Sequence, residues 1–517
     1  MTRNYPNSPV FPYRRLAYFA ALASIVLVGW HGSPRGQSGA AQAAQKDSGE
    51  KRPRPLYYGV DSCSSCHTQP PPTIKNDPDS LCRCTEYPIW FDNDKHLQAY
   101  AVLKGTRAAR MGELLGYKVL EAKQCVSCHG VYIVDPAVKD ESIKVGFNIE
   151  EGVSCVACHG AYEDWIDTHG GVKKRIWRTY TRDKKEKEFG MADLWDPAKR
   201  TKMCASCHIG SAEEGKVVTH DMYAAGHPPL PSFEVATFSE EMPRHWQYIK
   251  EKKPNIQKLL KIDPPDAEWE RSKLVVISGA VNLRETMSTL AREADQAAGA
   301  GDANRQGMDL AHFDCYACHH DLKSPSWRQQ RGFPGKPGRP QMQAWPTVLV
   351  RLGLKQLGKG KSEFDAELKK VHDAFDAQPF GDPKAIAVSA KAMVQWLNQF
   401  IDQLEKSKLD QTAAHRLLRE LCALSKEELL DYDSARQVIW AFENIYAELQ
   451  PKPDGSVDAK IKEQFTALDK LLKLRLPSGP KRKILEELPQ SLERINSYEA
   501  KSFQDHMEEL GKLLPKN

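Results

Sequence analysis

Hydrophobic residues recur at helical spacing mainly in the last third of the chain. Asp382 followed by Pro383 has the pattern of a helix start, because aspartate caps free backbone N–H groups and proline fits the first helical position. Beyond this start, apolar residues return every three or four positions, which predicts one amphipathic helix. They are Ile386, Ala390, Val394, Leu397, Ile401 and Leu404.

Two further apolar stripes follow along the chain. Ser425 and Glu428 have the spacing of a capping box, and Asp433 precedes the first of the two stripes, which ends before Pro451. Stripes of this width pack against one another, so we predict a bundle-like helical region over residues 346–517. The stripes consist of Val438, Ile439, Phe442, Ile445, Tyr446 and Leu449, and then of Ile461, Phe465, Leu468 and Leu472.

Residues 46–324 contain few long periodic segments. We predict short helices and little regular sheet for this segment, which makes the fold class of the chain mainly α. A run dense in glycine, proline and positive charge, from Arg331 to Pro340, excludes a helix or a central strand. We therefore predict a linker over residues 325–345 between the segment 46–324 and the helical region.

The N-terminus has the layout of a secretory signal peptide. Arginines precede an apolar run from Leu16 to Trp30, and Ala41-Gln42-Ala43 fits a cleavage site. The run is shorter than the roughly 20 residues that span a bilayer. We predict that residues 1–45 are a signal peptide or, as the alternative, an N-terminal membrane anchor.

The pattern with the most chemical content is Cys-x-x-Cys-His, which occurs five times. It is the attachment signature of c-type haem: both thiols form thioether bonds to the porphyrin, and the adjacent histidine binds the iron. We predict five covalently attached haems c. The attachment cysteines are Cys63, Cys66, Cys125, Cys128, Cys155, Cys158, Cys204, Cys207, Cys315 and Cys318, and the proximal histidines are His67, His129, His159, His208 and His319. Residues 46–324, which hold all five motifs, are called the haem region below.

Other interpretations of the composition fit less well. Zinc ribbons also use Cys-x-x-Cys pairs, but they have no reason to place histidine after every pair, and the number of motifs is odd. Thirteen cysteines among 517 residues are too sparse for a disulfide scaffold. The formal net charge of +5 gives no support to a nucleic-acid partner.

The group on the far side of each iron decides the function. A second histidine fills the sixth coordination position of the iron and suits electron transfer, whereas an open sixth position admits a substrate. Five further histidines lie close to the motifs in sequence, and we predict them as distal ligands. They are His96, His169, His220, His227 and His312.

The remaining histidines and cysteines are weaker candidates. His245 and His320 rank below the five as ligands, with Met203 and Met222 as alternatives, whereas the tail histidines are predicted to be structural or exposed: His372, His415 and His506. Cys82 and Cys84 are one residue apart, so a disulfide between them would be strained. Pairing of either with Cys422, a haem contact, and free thiols remain open.

Three segments between residues 60 and about 320 carry a family resemblance. They are Lys95-His96 with Ala99-Tyr100 ahead of Cys125-Val-Ser-Cys-His-Gly130, then Gly152-Val-Ser-Cys155-Val-Ala-Cys-His-Gly160 with Trp165 and His169, and Ala225-Gly226-His227-Pro228-Pro-Leu230 followed by His245-Trp246. They resemble the cytochrome c-554/c-552 family of multihaem cytochromes. The resemblance implies closely stacked, mostly bis-histidine haems, with His96, His169 and His227 as axial ligands. The better-known members carry four haems, so the fifth motif and the helical tail depart from the family.

Five distal candidates for five irons favour an electron carrier. We expect it in the periplasm or on the outer face of the cytoplasmic membrane, where it would exchange electrons with redox partner proteins. Haem-attachment machinery would act on the unfolded chain after export. The alternative is an enzyme that converts small nitrogen compounds, such as nitrite, nitric oxide or hydroxylamine, at one five-coordinate haem.

Overall fold

Short helices carry four of the five motifs in the computed structural model of the protein. These helices are Asp61–His67, Lys123–His129, Cys155–His159 and Pro197–His208, and the fifth motif begins in the 3-10 helix Cys315–Ala317. Residues three apart lie on one face of a helix, so both cysteines of a motif point to the same side. The structure describes residues 57–70, 82–131, 144–145, 148–161, 163–170, 174–248, 251–259, 269–299, 307–332, 335–449, 458–472 and 495–515.

The rest of the haem region is also built from short elements. Its other α-helices are Glu86–Asn93, Thr106–Leu115, Glu163–Gly170, Lys174–Thr179, Arg182–Phe189, His220–Ala225, Val235–Glu241, Pro254–Leu259 and the much longer Glu270–Gly299. Its other 3-10 helices are Lys95–Gln98, Ala101–Lys104, Ile149–Glu151 and Leu310–His312. In the described residues the one sheet is a parallel pair of two-residue strands, Tyr57–Tyr58 and Lys144–Val145. The prediction of a mainly α fold with little regular sheet is confirmed.

The helical region follows the apolar stripes of the sequence. Asp382 caps the helix Pro383–Lys406 by accepting from the backbone of Lys384 and Ala385, with Pro383 in the first turn. The capping box of Ser425 and Glu428 is present. The elements from residue 327 onward are Trp327–Arg331, Trp345–Val348, Val350–Gln356, Ser362–Asp376, Pro383–Lys406, Gln411–Cys422, the 3-10 helix Lys426–Leu429, Tyr432–Leu449, Ala459–Leu472 and Ala500–Leu513.

The helix Glu270–Gly299 connects the two regions. Every residue from Leu274 to Leu283 is buried, so this part of the helix is enclosed on all sides. Its side chains belong to the same apolar cluster as the helices after residue 345, and Ala205 and Phe233 of the haem region join that cluster. Gly279 allows the close approach of Leu349, because a Cβ atom at this glycine would lie 2.7 Å from the Leu349 Cβ. The boundary that we predicted at residue 324 therefore does not separate two apolar cores.

The segment predicted as a linker packs on the helical region. Phe313 and Met342 form an isolated antiparallel bridge across it. The Arg331 guanidinium donates to the carbonyl oxygens of Ile495 and Tyr498, at 2.6 Å each. These contacts tie the glycine- and proline-rich run to the last helices of the chain.

In the first part of the haem region, before residue 190, the apolar clusters are small. One contains four buried residues around Trp165 and Trp177, and another contains Tyr100, Leu103 and Val126. Clusters of this size bury little apolar surface for the number of residues that they must hold in place. Porphyrin rings bound at the motifs would supply the missing apolar surface.

None of the helices within the described ranges combines the length and hydropathy needed to cross a membrane. Residues 1–45, on which the prediction of a signal peptide or anchor falls, lie outside the described residues.

Candidate haem-binding sites

Each of the five motif histidines faces one further histidine. The centroids of the two imidazole rings lie between 6.0 and 6.5 Å apart in all five cases. The pairs, with the motif histidine first, are His67 with His169, His129 with His227, His159 with His245, His208 with His96, and His319 with His220.

These separations fit an iron ion between the rings. A transition metal binds an imidazole nitrogen at about 2 Å, so two ligands on opposite sides place their nitrogens about 4 Å apart. Each ring centre lies about 1 Å behind its nitrogen, which brings the expected distance between centroids to roughly 6 Å. The residues present therefore fit haem iron with two axial histidines.

The relative orientation of the two rings divides the pairs into two groups. The rings of His67 and His169 are nearly parallel, with 5° between their planes, and those of His220 and His319 differ by 29°. The other three pairs are close to perpendicular, at 68°, 81° and 87°. The angle between the two imidazole planes of a pair can be tested by spectroscopy.

Hydrogen bonds at Nδ1 hold several of these rings. A histidine that binds a metal through one nitrogen usually donates its other N–H to a carboxylate or a backbone carbonyl. Glu86 accepts from His67 and Asp94 from His96, both at 2.9 Å. Backbone carbonyls serve three more rings: Ala99 for His129 at 2.7 Å, Pro228 for His227 at 2.7 Å and Pro243 for His245 at 3.4 Å.

Rings backed by a carboxylate have different electrostatic surroundings from buried rings without one. The hydrogen bond that His67 donates to the Glu86 carboxylate raises the pKa of His67. Burial opposes a charge on His96, but Asp94 outweighs it and the pKa of His96 is also raised. By contrast, burial lowers the pKa of His159, His169 and His208 to about 4 each. These three are neutral at physiological pH, which is the form of imidazole that binds a metal.

Local structure and aromatic neighbours position the distal rings. His96 lies in the 3-10 helix Lys95–Gln98, where Asp94 accepts from both its backbone N–H and its Nδ1. Gly152, with φ of +61°, lets the loop before the third motif pack on this helix, since a Cβ there would lie 2.6 Å from the His96 carbonyl oxygen. Trp165 and Trp177 contact the His169 ring edge-on, with centroids 5.1 and 5.9 Å away.

Four of the five predicted distal histidines face a motif histidine, but His312 does not. The Nε2 atom of His312 contacts the Glu293 carboxylate instead. The place opposite His159 is taken by His245, which we ranked low from the sequence. Proximity in sequence to a motif misled the prediction, because a distal histidine need not serve the nearest motif: His96 faces His208, more than one hundred residues later.

The sequence held one signal for His245. It precedes Trp246 in one of the segments that carry the family resemblance, and the two rings contact each other with centroids 5.3 Å apart. The other low-ranked histidines lie elsewhere: His320 contacts the Asp321 carbonyl, His372 contacts Gln341, and His506 contacts Gln464.

Contacts between motifs show which of them are neighbours. The thiols of Cys63 and Cys155 lie close enough to shift each other's pKa, which places the first motif beside the third. The thiols of Cys128 and Cys207 make the same contact between the second motif and the fourth. Cys158 of the third motif lies within electrostatic range of the fourth motif's cysteines.

The helix His220–Ala225 links the second motif to the fifth. His220 at its first position faces His319, and His227, two residues beyond its end, faces His129. The backbone N–H of His220 also donates to the Asp309 carboxylate at 2.9 Å, six residues before Cys315.

Of the three cysteines outside the motifs, two lie together and the third lies on a helix of the helical region. Cys82 and Cys84 contact each other, with 3.2 Å between their sulfur atoms. Cys422 is buried on the helix Gln411–Cys422, where it packs against Gly511. All three are free thiols in the structure, which is one of the alternatives that the sequence left open.

Comparison with known proteins gives one match. Residues 62–160 match the sequence model of the family described as cytochrome c554 and c-prime. This part of the chain is therefore similar to c-type cytochromes. The match spans three of the motifs together with His96 and Asp94, and in a c-type cytochrome the motif residues bind haem covalently and function in electron transfer.

The cytochrome match leaves the fourth motif, the fifth motif and the helical region outside its range. Comparisons with curated proteins and with solved structures found no match. The roles of the parts beyond residue 160 therefore rest on the geometry described above.

Proposed function

We propose that this cytochrome carries five haems c, each held between its motif histidine and a second histidine, and that it conducts electrons between redox partner proteins. The observation that carries the proposal is the pairing of all five motif histidines at one common ring separation. An iron with two axial imidazoles has no position for a substrate and changes between its ferric and ferrous states by electron transfer.

The contacts between motifs support a connected series. The first motif is beside the third, the third beside the fourth, and the fourth beside the second. The helix His220–Ala225 adds the fifth motif next to the second. The proposed order along the protein is therefore first, third, fourth, second and fifth.

Exposure supports the two ends of this series as the places of electron entry and exit. Cys66 of the first motif and both cysteines of the fifth motif are exposed, whereas no cysteine of the three motifs between them is. Redox partners would dock near the first and fifth motifs. The three inner motifs would conduct within the protein.

The enzymatic alternative needs an iron with an open sixth position. Each motif histidine has an imidazole opposite it within the described part of the chain, and this favours a carrier over a reductase or oxidase of small nitrogen compounds.

The proposal includes a location outside the cytoplasm. Haem c is attached to exported chains, so the predicted signal segment and the motifs are consistent with each other. We propose the periplasm or the outer face of the cytoplasmic membrane, with the N-terminus as signal or tether and haem-attachment machinery as a transient partner.

The haem count per chain tests the proposal. The intact mass of the purified protein, combined with the absorbance of its pyridine haemochrome, should give five haems. Replacing both cysteines of the fifth motif, Cys315→Ala with Cys318→Ala, should give four haems and slow electron exchange at that end. The control Cys422→Ala should keep five, and a wild-type count below five would contradict the proposal.

A further inference from the structure

Cys82 and Cys84 form a thiol pair that no haem motif uses. Their sulfur atoms are 3.2 Å apart, and Cys84 is almost fully buried, with 2% of its surface exposed. The backbone of Cys84 has φ of +57°, in the left-handed region that costs a residue other than glycine on the order of 1 kcal/mol. The surrounding structure thus holds the two thiols together in an unfavourable backbone conformation.

One carboxylate connects this pair to an axial histidine. The backbone N–H of Arg83, between the two cysteines, donates to one oxygen of Glu86 at 2.9 Å. The other oxygen of Glu86 accepts from Nδ1 of His67, also at 2.9 Å. A movement of the Arg83 peptide therefore changes the hydrogen bonding of the group that backs His67.

We propose that Cys82 and Cys84 form a reversible disulfide whose state is transmitted through Glu86 to the His67 imidazole. The transmission rests on the proposed function, which makes His67 an axial ligand, whereas disulfide formation does not. The pair would thus be a redox-sensitive modification site beside the first motif.

The oxidation proceeds by thiol–disulfide exchange with a small or protein disulfide. The more accessible Cys82 attacks as thiolate, one sulfur–sulfur bond of the reagent breaks, and its first thiol leaves. The Cys84 thiolate then attacks the Cys82 sulfur and releases the second thiol. Two protein thiols lose two electrons and two protons, and the reagent disulfide gains them as two thiols.

Strain makes this disulfide reversible. A bond across a single intervening residue departs from relaxed disulfide geometry, and strained disulfides are the more easily reduced ones. Closure constrains the Arg83 peptide and alters its donation to Glu86. When Glu86 loses or gains this hydrogen bond, its strength as an acceptor for His67 changes. The acceptor behind an axial imidazole tunes the midpoint potential of the iron that the imidazole binds.

Counting thiols in the holoprotein tests disulfide formation. Thirteen cysteines less ten thioethers leave three thiols, so alkylation after denaturation should add three labels in a reducing glutathione buffer and one in an oxidising buffer. The variant Cys82→Ser should show two labels in reducing buffer and no internal disulfide in oxidising buffer. The matched control Cys422→Ser should carry two labels in reducing buffer and none in oxidising buffer. Three labels on the wild type at every buffer potential would overturn the proposal.

A redox titration tests the transmission. The midpoint potential of the haem at the first motif should differ between the oxidised and reduced thiol states, and the potentials of the others should not. Glu86→Gln should still form the disulfide but lose this difference. Equal potentials in the two thiol states of the wild type would overturn the transmission. The label count does not depend on axial ligation, so a failure of the proposed function is distinguishable from a failure here.

Discussion

The helical region and the haem region bury their apolar side chains in different ways. In the helical region one large cluster includes completely buried residues such as Leu397 and Val438. Between Tyr57 and Phe189, within the described residues, the two apolar clusters contain only four and three buried residues. Both stretches are nevertheless well populated with helices.

This difference separates two sources of order. Packing of wide apolar stripes stabilises the helices after residue 345 and the helix Glu270–Gly299 with them. In the haem region before residue 190, haems held by the proposed imidazole pairs would supply the order that side-chain packing does not. The helix Pro197–His208 belongs to both, because Ala198 and Ala205 contribute to the large cluster while His208 faces His96.

Withholding haem should have the largest effect, and the effect should differ between the two regions. Expressed without haem-attachment machinery, the chain should lose protection from hydrogen exchange between Glu86 and Phe189, because its small clusters cannot offset the conformational entropy of ordering. The helices Pro383–Lys406 and Tyr432–Leu449 should stay protected. Equal loss of protection in both regions, read by mass spectrometry, would break the comparison.

A cavity in the large cluster should destabilise the protein without changing the haem sites. Leu397→Ala should lower the free energy of unfolding of the helical region by about 2–5 kcal/mol, because the residue is completely buried. Val388→Ala on the same helix is the control, since Val388 is 71% exposed and should change stability by less than about 0.5 kcal/mol. Denaturant unfolding followed by circular dichroism gives both values, and equal effects would refute the packing argument.

The same contrast explains how much of each region can be predicted from the sequence. Stripes and caps are local signals, so the helix Pro383–Lys406 could be predicted with its Asp382 cap. The motifs are local too, so spacing alone predicts ten attachment cysteines. The helix Glu270–Gly299 was not predicted, because its enclosed part from Leu274 to Leu283 has no polar face whose period would mark it.

Pairing of histidines is not a local property. His169 follows the third motif in sequence but faces His67 of the first, and His96 faces His208 of the fourth. Such pairs depend on how the short helices pack around one another, which sequence spacing does not specify. For the same reason His245 was ranked too low and His312 too high.

Removing one distal ligand should change a single iron. His245→Ala should open the position opposite His159 and produce a high-spin ferric signal from about one haem in five, with new binding of cyanide. His312→Ala is the matched control and should leave all the signals unchanged, because His312 contacts Glu293. A high-spin signal from His312→Ala in place of His245→Ala would reverse the assignment.

Replacing one carboxylate acceptor should have the smallest effect. Asp94→Asn removes the negative charge that backs His96, which stabilises ferric iron less and should raise the midpoint potential of the haem at the fourth motif. A tenfold change in the preference for ferric iron corresponds to about 59 mV for one electron, so we expect a shift of this order.

The control for this shift is Asp92→Asn. It makes the same change of charge at an exposed position two residues away. Redox titration should show little change for this control, and equal shifts in both variants would mean that general charge, not the hydrogen bond to His96, sets the potential.

Electron paramagnetic resonance of the fully oxidised protein tests the pairing of all five motif histidines most directly. Parallel imidazole planes split the iron orbitals that overlap the rings and give a rhombic low-spin signal, whereas perpendicular planes leave them nearly degenerate and give one large g value. The ring angles predict two haems of the first kind, at His67 and His319, and three of the second. A high-spin ferric signal from any of the five would contradict the account.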